Sequence, residues 1–139
     1  MIAEHAAVYA ANVLLLGTLN TDIFFDFMPD TDETIMAFYD GRTWELAESS
    51  ALAVDQFAVE VYVRAKSSLN AKAKLRTWHK AIMGYSGDMV NNAGDETLTV
   101  SCVDVDMNPH SAGRDEKNRS VYTAKYRFRV MSCGDSFRL

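Results

Sequence analysis

"QFAVEVYVRAKSSLNAKAKLRTWHKAI", residues 56–82, changes its hydrophobic period in the middle. Up to Arg64 the apolar residues alternate. Phe57, Val59, Val61 and Val63 fall on one face and Ala58, Glu60, Tyr62 and Arg64 on the other, the pattern of a strand. Beyond Ser67 and Ser68, either of which can cap a helix by accepting from its free N–H groups, the spacing lengthens. Ala71, Leu75, Trp78, Ile82 and then Tyr85 recur at steps of three and four, one face of a helix. Lys72, Arg76, His79 and Lys80 lie on another side and read as a solvated basic face. A strand that passes directly into an amphipathic helix places both elements in one core.

The flanking segments repeat these two periods. Ile2, Ala6, Tyr9, Val13 and Leu16 form a helical stripe, with Gly17 as its stop signal. Ile23–Met28 and Ile35–Tyr39 each alternate and are separated by "PDTDE", which reads as a β-hairpin. Pro29 cannot donate to a ladder, and Asp30 and Asp32 can bond their own backbone, so the acids are explained as turn chemistry. Residues 41–55 have no clear period and read as a connection, and 86–96 as a polar loop. "TLTVSCVDVDM", 97–107, is a strand whose phase slips, predicting a bulge near Cys102–Val103. Residues 107–119 read as a long loop. In "SVYTAKYRFRV", 120–130, Tyr122, Ala124, Tyr126, Phe128 and Val130 face one way, while Lys125, Arg127 and Arg129 share the opposite face. The expected fold is therefore α+β: a largely antiparallel sheet of four to five strands with two main helices packed on it, in a single domain over 1–139.

Composition narrows the function classes. A chain of 139 residues with 48% hydrophobic and 24% charged residues can bury an ordinary globular core without staples. A formal charge of −5 argues against a general nucleic-acid binder, which needs cations to neutralise phosphates. Cys102 and Cys133 are too few for a disulfide framework and lack metal-ligand spacing, which fits a reduced compartment. "MIAEHAAVYAANVLLLGT" lacks a basic start and carries Glu4, so it does not read as a signal peptide. No apolar run approaches the ~18 residues of a membrane span.

The most site-like stretch is "DVDMNPHSAGRDEKNR", 104–119. Asp104, Asp106 and Asn108 alternate as in a calcium-binding loop, with Asp115 in the place of its last ligand. The position that must be glycine for the sharp turn is Pro109, and the preceding flank is a strand. No calcium, catalytic metal or cofactor is therefore expected. A nucleophile elbow, a zinc-protease helix motif and a phosphate-cradling glycine loop are all missing from the sequence. His5, His79 and His110 lie in three separate segments. A metal-dependent enzyme using Asp104, Asp106, His110 and Asp115, and a ligand-binding α+β module, remain the rivals to a purely structural protein.

Three stretches carry a resemblance. Met28–Asp30 supplies an "MPD" turn, Val61–Ser67 the "VYVRAKS" strand end before "NAKAKLRTWHKAI", and Gly113–Val130 the "GRDEKNRSVYTAKYRFRV" segment. In this order and spacing, over roughly 1–131, the chain resembles the phage minor capsid proteins that belong with the tail terminators of long-tailed phages. The resemblance implies a non-enzymatic virion protein, assembled in the host cytoplasm. It implies a ring, typically hexameric, on the head-proximal end of the tail tube, where it stops polymerisation and meets the head-closure protein. Implied partners are further copies of the chain, the major tail tube protein and the head-closure protein. Genome DNA would pass through the lumen without specific binding, and no membrane is involved. Asp30, Asp32, Glu33, Arg114, Asp115, Lys125, Arg127 and Arg129 are then the candidate subunit or partner contacts. Another neck component, a head-closure or tail-completion protein, is the nearest alternative.

Overall fold

The computed structural model describes residues 2–41 and 54–131, and within them the chain forms two helices and one six-stranded sheet. The elements are α1 (Ala3–Asn12), β1 (Ile23–Phe25), β2 (Ile35–Asp40), β3 (Val54–Ala65), α2 (Ser68–Ile82), β4 (Gly87–Val90), β5 (Thr97–Arg114) and β6 (Ser120–Met131). The sheet order is β1-β2-β3-β6-β5-β4. Residues 42–53 and 132–139, which include most of the expected connection and Cys133, lie outside the described residues.

The α+β class, the two helices and a mainly antiparallel sheet stand, with six strands where periodicity suggests four to five. The extra strand, β4, lies inside the expected polar loop 86–96 and pairs antiparallel with β5. A second difference is larger. The expected loop 107–119 is mostly strand: β5 runs on to Arg114 and stays paired with β6, leaving only 115–119 as a turn. Register shifts occur at Val100/Cys102, Val105/Met107, Met107/His110 and Ser111/Gly113. Each bulge flips the alternation, so no period survives for a sequence pattern to detect. Pro109 sits in one irregularity and Gly113, at φ +92°, in another, the places where a missing N–H and a left-handed backbone are tolerated. The first shift is the bulge expected near Cys102–Val103.

The predicted hairpin over 23–39 is not one. β1 pairs with β2 in parallel, Ile23 opposite Met36 and Phe25 opposite Phe38. Asp26 leaves the sheet at φ +69°, a conformation Asp tolerates, and "PDTDE" lies within the crossover that returns the chain to the start of β2. Both strands alternate equally well in either direction, so periodicity does not distinguish parallel from antiparallel pairing.

α1 is also shorter than its stripe. Leu15 takes φ +55°, and Leu16 N–H donates to Ala10 C=O at 3.0 Å, closing the helix before Gly17 is reached. Gly17 instead makes room for a neighbouring carboxylate. A Cβ there would meet Asp22 Oδ1 at 2.4 Å, and that oxygen accepts from Thr18 N–H at 2.6 Å.

The core lies on the helix-bearing face of the sheet. Phe57, Val59, Val61 and Val63 of β3, Ala124, Tyr126 and Phe128 of β6, and Ala71, Leu75, Trp78 and Ile82 of α2 are all buried there. Trp78 stacks edge-on against Phe38 at 4.9 Å and Tyr126 at 6.3 Å. α1 packs against β1, β2 and β4, elements from both ends of the sheet order, so the sheet curls around it. Asp40 Oδ1 at the end of β2 accepts from Ile2 and Ala3 N–H at 2.7 and 2.9 Å, taking the place of a local cap. On the other side Glu4 accepts from Asn92 N–H at 3.0 Å and His5 lies 3.3 Å from Glu96. No helix among the described residues is long and apolar enough to cross a membrane.

Trp78 is fully buried, so Trp78→Ala should cost about 3–5 kcal/mol of unfolding free energy. Trp78→Phe should cost much less, because the buried indole N–H has no hydrogen-bond partner among the described residues. Urea unfolding of the two variants checks both expectations; equal losses would show that the indole N–H is satisfied.

Candidate functional site

The two acidic stretches that stand 70 or more positions apart in the chain meet in space, around one arginine. Arg119 closes the β5–β6 turn. Asp115 Oδ1 accepts from Lys117 and Arg119 N–H at 3.0 and 2.9 Å, and Asn118 supplies the left-handed residue, φ +61°. This turn aims the Arg119 guanidinium back over the β1–β2 crossover. Nε and Nη2 bond Asp115 Oδ2 at 2.8 and 2.7 Å, Nη2 also bonds Asp30 Oδ1 at 2.7 Å, and Nη1 donates to Thr31 C=O at 2.7 Å. Arg119 itself is only 4% exposed. A guanidinium carries five donors in a planar fork, and burial is tolerable only when most are met.

A second arginine completes the clasp. Arg64 lies on the outer face of β3 and is buried; its Nη2 donates to Pro29 C=O and, at 3.2 Å, to Thr31 C=O. Burial and the neighbouring Arg119 push its pKa down. Lys117 pairs with Asp30 at 2.6 Å and Lys66 with Asp32 at 3.3 Å. Hydrogen bonds from Arg119 and from the Arg119 and Lys117 amides hold the Asp115 carboxyl at about 2, and Lys117 with Arg119 holds Asp30 below the ordinary carboxylate range.

The other candidate contacts fall in two places. Glu33 is exposed beside the clasp, and Arg114 turns inward to Asn118 C=O at 2.7 Å. Lys125, Arg127 and Arg129 lie on the outer face of β6, away from Tyr126 and Phe128. Arg127 pairs with Asp106 at 3.3 Å, Lys125 with Asp106 at 3.9 Å and Arg129 with Asp104 at 3.3 Å. The basic stripe is thus met by the acids of the neighbouring strand, in a cross-strand ladder.

That ladder also takes up two of the acids of the calcium-loop pattern. Asp104 and Asp106 are spread along a strand and bonded to basic side chains of β6, not folded around a centre. Among the described residues no three metal-ligating side chains converge. The histidines are equally dispersed: His5 against Glu96, His79 Nδ1 on the buried Tyr126 hydroxyl at 2.9 Å, and His110 Nδ1 on Asn108 C=O at 2.8 Å. What this arrangement can do chemically is hold a rigid, charged surface.

A family model described as bacteriophage tail terminator protein matches residues 12–131. The chain belongs to the bacteriophage tail terminator family. Its members are structural components of the virion tail, not enzymes. Among solved structures, a chain of the "Virion of native gene transfer agent (GTA) particle" is 20% identical, with a TM-score of 0.58 over 93% of this chain and 95% of that one. A second solved chain, 11% identical, superposes with a TM-score of 0.50 over 91% and 92% of the two chains. At such identities the likeness is one of fold. No curated protein matches the sequence.

Arg64 and Arg119 are the residues that periodicity and motifs do not single out. Arg64 carries a signal, as a cation ending a strand whose other residues are largely apolar. Arg119 carries one too, immediately preceding the apolar alternation of β6. Neither signal names a partner.

Because Asp115 titrates at about 2 in the fold and near 3.9 when unfolded, the clasp should contribute fully above about pH 5 and lose its contribution as pH falls from about 4 towards 2. Arg119→Met should lower the melting temperature at neutral pH and remove that acid-range component. It should also speed amide exchange in the crossover 26–34 more than in β3. A variant with unchanged acid dependence would show that Arg119 does not carry the clasp.

Proposed function

We propose that copies of this chain form a ring on the head-proximal end of the phage tail tube, ending tube polymerisation and offering the surface to which the head-closure protein binds. The observation that carries the reading is the fate of the two acidic stretches in a member of this family: Asp30, Asp32 and Asp115 are taken up in the clasp and Asp104 and Asp106 in the β5–β6 ladder, so the acids stiffen the surface rather than frame a reaction centre. A capping ring needs stiff, shaped faces rather than chemistry. Six copies is the stoichiometry that the family resemblance implies.

The fold adjusts which residues are offered as contacts. Asp30, Asp32 and Asp115 act first within the chain, and so do Arg114, Lys125, Arg127 and Arg129. Glu33, exposed beside the clasp, is the candidate whose side chain bonds to no other group among the described residues, and it is best placed to reach a neighbouring ring. Sheet edges are a poor route to assembly. β1 has 3 residues and β4 has 4, and α1 packs against both. Contacts between copies therefore fall to side-chain faces. A net charge of −5 suits a conduit through which DNA passes without adhering.

Deleting the gene should give tails of uncontrolled length that do not join filled heads, as seen by electron microscopy of lysates. Tails of normal length that join heads normally would remove the capping role. Tails of normal length that fail to join would favour another neck component.

A further inference from the structure

Two charge clusters of opposite sign stand apart on the surface, and among the described residues neither is fully paired. The positive one is on α2. Among the described residues, each arginine and lysine outside α2 bonds a carboxylate or a carbonyl oxygen. Lys72, Arg76 and Lys80 bond none and are exposed. They are spaced one helical turn apart, so they form a single stripe. Lys72 and Arg76, with His79 of α2, Pro109 of β5 and Tyr122 of β6, also border a groove of about 180 Å³. The groove has an apolar floor at Leu75 and cations along one wall, features that suit a carboxylate carried on a side chain.

The negative one lies at the Asp40 end of β2: Glu60, opposite Tyr39, is on the outer face, while Asp40, opposite Val59, is on the helix-bearing side at the start of α1. A hollow of about 420 Å³ is bordered by Met28, Tyr39, Asp40, Glu60 and Tyr62. Glu60 has no hydrogen bond or ion pair among the described residues, and Lys125, directly opposite it on β6, leans 3.9 Å from Asp106 instead. Asp40 is partly answered by the start of α1. Asp26 lies close enough to Asp40 and Glu4 for their charges to raise its pKa, with burial the larger cause. Acids crowded in this way gain from a cation supplied from outside.

We propose that the α2 groove of one copy takes the Asp40–Glu60 hollow of a second copy, with Lys72 and Arg76 meeting Glu60. This rests on the ring reading and specifies its faces. The two patches differ, so the contact is heterologous, and a repeated heterologous contact that closes gives a ring. The chain's own acids are favoured over nucleic acid as the occupant because the protein as a whole repels phosphates, whereas both halves of the copy-to-copy contact are present on every copy.

The test is a charge swap followed by sedimentation of the full chain at low salt. Lys72→Glu/Arg76→Glu carries two acidic faces, and Met28→Lys/Glu60→Lys carries two basic ones. Each alone should weaken self-association on the order of 100-fold, about tenfold per altered charge. An equimolar mixture should recover the wild-type association, because alternating copies match at every contact. Glu60→Gln, which adds no new charge, should weaken association on the order of tenfold and guards against misfolding of the lysine variant. Variants that associate like the wild type, or a mixture that stays dissociated, would overturn these faces while leaving capping to stand on the gene deletion. A wild-type chain that remains monomeric at its solubility limit in low salt would overturn the copy-to-copy contact itself. Duplex DNA that binds the wild type and not Lys72→Glu/Arg76→Glu, with self-association untouched, would reassign the groove to phosphate.

Discussion

A buried guanidinium has to find acceptors for most of its donors, and meeting that demand at Arg119 organises one end of the molecule. Its fork reaches the turn it belongs to through Asp115 and the distant crossover through Asp30 and Thr31 C=O. The β5–β6 hairpin is thereby fastened to the β1–β2 crossover, a link that Lys117 reinforces at Asp30. Arg64 binds the same crossover from below, through carbonyls rather than carboxylates. With its backbone oxygens taken by two arginines, the crossover can run over the outer face of β2 and β3 without an ordered element of its own. The parallel pairing of β1 with β2 follows, since the chain is carried across the face instead of turning back.

The other end of the sheet meets a related demand by different means. A helix start leaves N–H groups unmet. Here Asp40, from a strand far along the chain, meets two of them. Glu4 and His5, in the first turn of the helix, meet the segment between β4 and β5. α1 therefore spans the gap between the two ends of the strand order. A helix buried over most of its surface such as this one, with Ala3, Ala6, Ala7, Ala10 and Ala11 buried, is stable only when covered on several sides. The curl of the sheet supplies that cover and leaves little strand edge for further pairing.

Charge is then distributed with some economy. On the outer face the β6 cations are matched by the β5 acids, and around the clasp the acids are matched by arginines and lysines. Among the described residues, unmatched charge remains in the stripe on α2, at Glu60 beside Asp40, and at Glu33 next to the clasp. A structural protein of the tail has no reaction to localise, and its information for assembly has to be written in such surfaces.

The class of fold and most of the core are legible in the residues alone. The alternation over 56–65 and 120–130 and the stripe Ala71, Leu75, Trp78, Ile82 are local patterns, set by which side of a strand or helix each residue must occupy, and they reappear as the buried face. The family is legible as well, in "VYVRAKS" and "GRDEKNRSVYTAKYRFRV". Three things are settled only in three dimensions. The direction of β1 against β2 is one, because alternation is blind to strand polarity. The continuation of β5 through four bulges is another, because each bulge resets the phase that a pattern needs. The clasp is the third: Asp30 and Asp32 read as turn acids, and local turn chemistry explains acids in such a segment well enough that nothing in it points to an arginine 89 residues away. Periodicity records the neighbours a residue has along its own element, whereas a buried charge is answered by whichever acceptor the finished fold brings within reach.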